Sequence, residues 1–155
     1  MRVLRLGDSI SVGYGLSDDQ MSFVTLIDKK YHFSFDVIAR CGMTIQDLLK
    51  IDIESTYDIA IIFIGTNGSV SSKEVTKLVG LVHERCFNII LCTVPIVTSN
   101  NDVLASVSHT SHLILCDLNK GWKEGYFLED NIHPNEQGHL FIYDQLSKIL
   151  NQWVL

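Results

Sequence analysis

Asp58-Ile59-Ala60-Ile61-Ile62-Phe63-Ile64, followed at once by Gly65-Thr66-Asn67, is the stretch that decides the fold. A strand with one wet face alternates apolar and polar side chains. A strand that is apolar at every position needs cover on both faces, as a parallel strand has when helices sandwich it. Asn88–Val94 reads the same way, and Arg2–Leu6, Phe33–Ile38 and His112–Leu118 complete five strand candidates. Ile59–Ile64 is the longest unbroken apolar run, far short of the ~20 residues that span a bilayer.

Between the strands lie segments with helical period and start signals. Thr44-Ile45-Gln46-Asp47 and Ser71-Ser72-Lys73-Glu74 fit the capping box, in which a hydroxyl and an acid side chain satisfy orphan N–H groups. After Ser71, the residues Val75, Leu78, Val79 and Val82 share one helix face. Further helices are expected over Phe23–Lys30, over Asp102–His109, and from near Asn135, with Leu140, Tyr143, Leu146 and Leu150 on its buried side. Strand and helix alternating in this way give an α/β fold, a three-layer α/β/α sandwich. Five strands in so short a chain suggest a flavodoxin-like five-stranded parallel sheet of order 2-1-3-4-5.

Length and composition bound the rest. At 155 residues the chain reads as one domain, 1–155, able to bury roughly 70% of its unfolded surface without disulfides or metals. With 12 basic and 18 acidic residues the net charge is −6, which excludes a nucleic-acid binder needing a basic surface. Residues 101–155 hold three basic and seven acidic residues, so that third would repel a polyanion. Cys41, Cys86, Cys92 and Cys116 form no CxxC pair and read as reduced, structural thiols. No apolar leader follows Met1, so the expected location is cytoplasmic.

In an open parallel sheet, ligands bind beyond the carboxyl ends of the strands where the strand order reverses, here between strands 1 and 3. The residues just past those strands are Gly7-Asp8-Ser9 and Gly65-Thr66-Asn67, with Cys41-Gly42 after strand 2 and Asp130 and His133 beyond strand 5. A serine hydroxyl becomes a nucleophile when a base takes its proton and a third group holds the base. In Asp130-Asn131-Ile132-His133 a carboxylate three residues before an imidazole can hold Nδ1–H while Nε2 faces Ser9, the roles of a Ser-His-Asp arrangement. Attack on an ester carbonyl also needs donors for the oxyanion. The N–H groups of Ser9 and Gly42 and the amide of Asn67 are the candidates, although Gly42 and Asn67 taken singly read as ordinary turn residues.

Together these residues resemble the SGNH/GDSL hydrolase family (GDSL-like lipase/acylhydrolase). Gly7-Asp8-Ser9-Ile10, continued by Ser11-Val12-Gly13-Tyr14-Gly15, is similar to its first block, and Gly42 with Thr44 and Ile45 to its second. Gly65-Thr66-Asn67 is similar to the third block, and Asp130-Asn131-Ile132-His133-Pro134-Asn135 with Gly138 to the fifth. The resemblance implies a metal-free, cofactor-free esterase or thioesterase. Ser9, Asp130 and His133 would be its triad, and Ser9, Gly42 and Asn67 its oxyanion hole. The third block commonly reads G-x-N-D, whereas position 68 here is Gly, which leaves the shape of the loop and the substrate preference open.

So short a chain leaves little for a lid, which favours a small ester or thioester substrate with a short acyl group such as acetyl, including an acylated carbohydrate. The acidic third would favour neutral acyl donors. Acyl transfer by the same triad and a non-catalytic domain that binds an acylated ligand are the alternatives. Asp8 is expected to hydrogen-bond within its turn, and Glu129 matches no known spacing to His133. His32, His83, His109 and His112 lack ligand spacing for a metal, and His139 reads as a helix residue. Tyr14, Trp122, Tyr126 and Phe127 could line the crevice mouth or pack elsewhere.

Overall fold

A computed structural model describes residues 1–96, 98–107 and 112–154. The strands are β1 (Arg2–Gly7), β2 (Ser34–Ala39), β3 (Tyr57–Phe63), β4 (Cys86–Cys92) and β5 (Leu113–Cys116). The helices are α1 (Ser9–Val12), α2 (Phe23–Tyr31), α3 (Ile45–Leu48), α4 (Ser72–His83), α5 (Ser99–Ser106) and α6 (Glu136–Val154). All four strand pairings are parallel and the order is β2-β1-β3-β4-β5, as expected. No described helix is long and apolar enough to cross a membrane.

The unbroken apolar run of β3 is explained by its two covered faces. Ala60, Ile62 and Ile64 point into one core with Ile45 and Leu48 of α3, Val75, Leu78 and Val82 of α4, and Leu104 of α5. Ile59, Ile61 and Phe63 point into the other, with Ile10 of α1, Phe23 and Ile27 of α2, and Ile142, Leu146 and Leu150 of α6. Each side chain takes the opposite face from its neighbour, so both cores draw on the same run of six residues. Cys86, Cys92 and Cys116 are buried free thiols, and Cys41 is exposed.

Both expected capping boxes are present. The Thr44 hydroxyl accepts the Asp47 N–H while Asp47 accepts the Thr44 N–H, and Ser71 and Glu74 do the same for α4. Two helices differ from expectation. α5 starts at Ser99, three residues before Asp102, and residues 108–111, including His109, lie outside the described residues. In α6 the buried face runs through Gly138, His139, Ile142, Leu146, Ile149 and Leu150. Leu140 is 44% exposed and Tyr143 is only half-buried.

The physical reason is Gly138. A Cβ there would overlap the Tyr126 carbonyl oxygen and stand 2.9 Å from Pro134 Cβ and 3.0 Å from the Trp122 ring. This close approach fixes which side of α6 faces the protein, and Leu140, two residues further on, is carried ~200° around the helix to the outside. Gly138→Ala should therefore cost about 1–3 kcal/mol by overpacking, read as a lowered urea midpoint with an unchanged slope. Leu140→Gln should cost less than about 0.5 kcal/mol.

Candidate active site

Ser9 is the first residue of α1, immediately after β1, and is 5% exposed. Asp8 caps the helix, its Oδ1 accepting the Ile10 N–H at 3.0 Å. The expectation that Asp8 serves its own turn holds. Burial pushes its carboxyl above the ordinary value, against the pull of the Ile10 N–H, the adjacent Thr66 and the charge of His133.

His133 comes from the other end of the chain. Its Nε2 lies 2.9 Å from Ser9 Oγ, and its Nδ1 lies 2.5 Å from Asp130 Oδ2. With Nδ1 protonated toward the carboxylate, Nε2 is the acceptor for the serine proton. Asp130 Oδ1 is also occupied, accepting the N–H groups of Ile132 and His133, both at 2.9 Å. Asn131 between them takes a left-handed φ of 56°, the bend that folds the turn back on itself. The turn is closed by Leu128 N–H on His133 O at 2.8 Å and Asn131 N–H on Leu128 O at 3.0 Å. Behind it, Asn135 donates from Nδ2 to Gly125 O at 2.8 Å and Phe127 O at 3.0 Å, while its Oδ1 accepts the Gly138 N–H at 3.1 Å.

The other two expected residues lie in the loops that follow β2 and β3. Gly42 has φ 76°, a conformation costly for any residue with a Cβ, and a Cβ built there would meet nothing within 4 Å. The backbone at Gly42 therefore stands open to an approaching ligand. Asn67, past β3, donates from Nδ2 to Met43 O at 3.2 Å, which ties its loop to that of Gly42. An amide nitrogen carries two hydrogens, so a second remains to be aimed at a ligand.

Of the aromatic candidates, Tyr14 is at the site, its ring centroid 4.5 Å from that of His133 and its side chain half exposed. Trp122, Tyr126 and Phe127 instead pack on one another and on Phe141. His139 is a packed helix residue. Its ring stacks on Phe23, its Nδ1 accepts the Phe23 N–H at 3.3 Å, and burial lowers its pKa to about 4. His83 and His112 stack on each other against Phe87, away from these residues. Sequence reading missed Asn100, which holds the loop bearing Asn67.

No family model matches the chain, and no curated protein matches it in sequence. Its fold, however, is that of solved esterases. It resembles the psychrotrophic esterase EstA from Pseudoalteromonas sp., solved with monoethylphosphonate as inhibitor, at a TM-score of 0.75 and 22% identity, covering 98% of this chain and 97% of that one. A carbohydrate esterase of family 3 from Talaromyces cellulolyticus matches at TM-score 0.75 and 18% identity, over 99% and 98% of the two chains. A G-D-S-L family protein from Desulfitobacterium hafniense DCB-2 matches at TM-score 0.71 and 16% identity, over 96% and 98%. The fold expected from the alternation of strands and helices is thus the fold found.

The hydrogen bonds to Asp130 have a measurable consequence. The His133 N–H, then the His133 ring, with the Ile132 N–H behind them, lower its carboxyl to about 2. Because the folded value is depressed, the stabilisation is complete above the unfolded value of about 3.9 and is lost as pH falls toward 2. A carbon-detected NMR titration should place the Asp130 midpoint near 2. In His133→Ala the midpoint should rise but stay below the ordinary value, because both backbone N–H groups remain.

Proposed function

We propose that this protein is a serine esterase or acylhydrolase. The observation that carries the reading is the unbroken relay from Ser9 Oγ to His133 Nε2 at 2.9 Å and from Nδ1 to Asp130 at 2.5 Å. Ser9 Oγ attacks the acyl carbonyl carbon as its proton passes to His133 Nε2. The carbonyl oxygen becomes an oxyanion that the N–H groups of Ser9 and Gly42 and the Asn67 amide receive. As the tetrahedral adduct collapses, the leaving alkoxide or thiolate takes the proton from His133 and the acyl group stays on Ser9. Water then attacks the acyl-enzyme, gives a proton to His133, and the second collapse releases the carboxylic acid and restores the serine hydroxyl. Asp130 orients the imidazole and stabilises its charged form throughout. No step calls for a metal or cofactor.

The substrate we propose is a short-chain ester or thioester, acetyl above all, including acetyl on a carbohydrate. A cleft of about 380 Å³ adjoins the His133 turn, lined by Gly15, Leu16, Ser17, Leu128, Glu136 and Gln137. Its hydroxyl, amide and carboxylate suit a hydroxylated alcohol better than a long alkyl chain. Neutral donors are favoured over anionic ones by the acidic residues Glu129 and Glu136 beside the turn. The family 3 carbohydrate esterase among the structural neighbours supports the same substrate class.

Turnover of 4-nitrophenyl acetate tests the reading. Ser9→Ala and His133→Ala should each lower kcat by at least about 10³-fold with the thermal midpoint nearly unchanged, and Asn67→Ala by about 10²–10³-fold. Acetyl and butyryl esters should outpace octanoyl and palmitoyl esters, and a fluorophosphonate should label Ser9. Wild-type rates in Ser9→Ala, or no label at Ser9, would return the chain to a non-catalytic acyl-binding role. Product analysis with a sugar acceptor present separates hydrolysis from acyl transfer.

A further inference from the structure

Asn100 stands in the first turn of α5, is 8% exposed, and spends its whole side chain on a loop at least 30 residues away. Its Nδ2 donates to Gly65 O at 2.9 Å and to Gly68 O at 3.0 Å, and its Oδ1 accepts the Val70 N–H at 3.1 Å. All three partners belong to the loop that leaves β3 and carries Asn67. We infer that Asn100 is the positioning residue of the oxyanion hole, fixing the 65–70 loop so that the Asn67 amide is aimed into the crevice. The inference rests on the esterase reading above and names the device that gives that site its geometry.

The loop cannot fix itself. Residues 64–70 form no helix or strand, and Gly65 and Gly68, on either side of Thr66-Asn67, bring no side chain to the task. Thr66 turns its hydroxyl and N–H toward the buried Asp8 carboxyl and not toward its own loop. The restraint therefore comes from outside the loop, and its chemistry dictates the residue. Two carbonyls and one N–H must be met at once by a short side chain, which takes two donor hydrogens and one acceptor. Asparagine has both; aspartate lacks the donors, and serine offers only one.

The neighbouring residue provides a built-in control. Asn101 serves the loop after β4 in the same manner, its Oδ1 accepting the Val94 N–H at 2.9 Å and its Nδ2 donating to Val94 O at 3.0 Å and Ile96 O at 2.9 Å. Adjacent asparagines on one helix turn thus anchor two different loops, and only Asn100 reaches the one that bears Asn67. Removing either loosens the docking of α5, whereas removing Asn100 alone releases the Asn67 loop.

A double-mutant cycle decides the matter. Wild-type turnover and Ser9 labelling are measured first, so that failure of the esterase reading shows before any Asn100 variant is made. Asn100→Ala should then lower kcat by about 10–100-fold with KM changed less than about threefold, the pattern of a lost transition-state contact. Asn67→Ala/Asn100→Ala should be no slower than Asn67→Ala within about threefold, because a residue acting through Asn67 has nothing left to act on. Asn101→Ala should lower the thermal midpoint without this kcat loss. Asn100→Asp, matched in volume but without donors, should behave as Asn100→Ala and decides the cycle if the alanine variant does not fold. Multiplicative loss in the double mutant, or an equal kcat loss in Asn101→Ala, would overturn the inference.

Discussion

The site depends on one topological constraint. In a parallel sheet of order β2-β1-β3-β4-β5, the chains leaving β1 and β3 must go to opposite faces. Past β1 the chain turns into α1 and α2, which pack on the core containing Ile59, Ile61 and Phe63. Past β3 it turns into α4, which packs on the core containing Ala60, Ile62 and Ile64. Between them the carboxyl ends of two adjacent strands, Gly7 and Phe63 in register, lie side by side with their continuations diverging. A crevice follows from connectivity alone, and Ser9 and Asn67 stand on its two rims because each follows its strand within a few residues.

What topology does not provide is His133, which comes from a different part of the chain and still lies 2.9 Å from Ser9 Oγ. The solution is local at the histidine end. Asp130 binds two backbone N–H groups and the imidazole of its own turn, so the ring is held by contacts within that turn. Docking then needs only the whole turn to be seated. Asn135 does this from behind through two carbonyls, and Gly138 lets α6 press against Tyr126 and Pro134. Orientation is thereby divided into a stiff turn and a stiff seat, each held by backbone groups rather than by long flexible side chains.

Much of this was legible in the sequence because short-range physics writes it there. The two-sided apolar run of β3 and the boxes at Thr44 and Ser71 are each readable within a few residues. Ser9, Gly42 and Asn67 are legible as residues that follow strand ends, and Asp130 and His133 as a carboxylate three residues before an imidazole. Leu140 falls outside the buried face of α6; apolar character alone cannot tell which of several apolar neighbours faces inward. Gly138 decides that through a backbone contact in another segment. Asn100 was illegible for a related reason. An asparagine near a helix start reads as a cap, and nothing nearby in sequence reveals that its amide serves a loop 30 residues earlier.

The use of amides at this end of the sheet has its own logic. Strands that stop at a parallel edge leave N–H and C=O groups without ladder partners, and buried backbone groups must be satisfied. A carboxylate meets only the N–H groups, a lysine only the carbonyls, and either brings a charge whose burial is costly. A carboxamide meets both kinds at once and stays neutral. Asn100 and Asn101 hold the exits of β3 and β4, Asn119 joins Asn101 beyond β5, and Asn135 holds the seat of the His133 turn. Asp130 keeps its charge because it has three hydrogen-bond donors and partial access to water, whereas the buried Asp8, pushed toward its neutral form, serves as a helix cap. Two carboxyl groups near one imidazole thus differ in role because they differ in solvation.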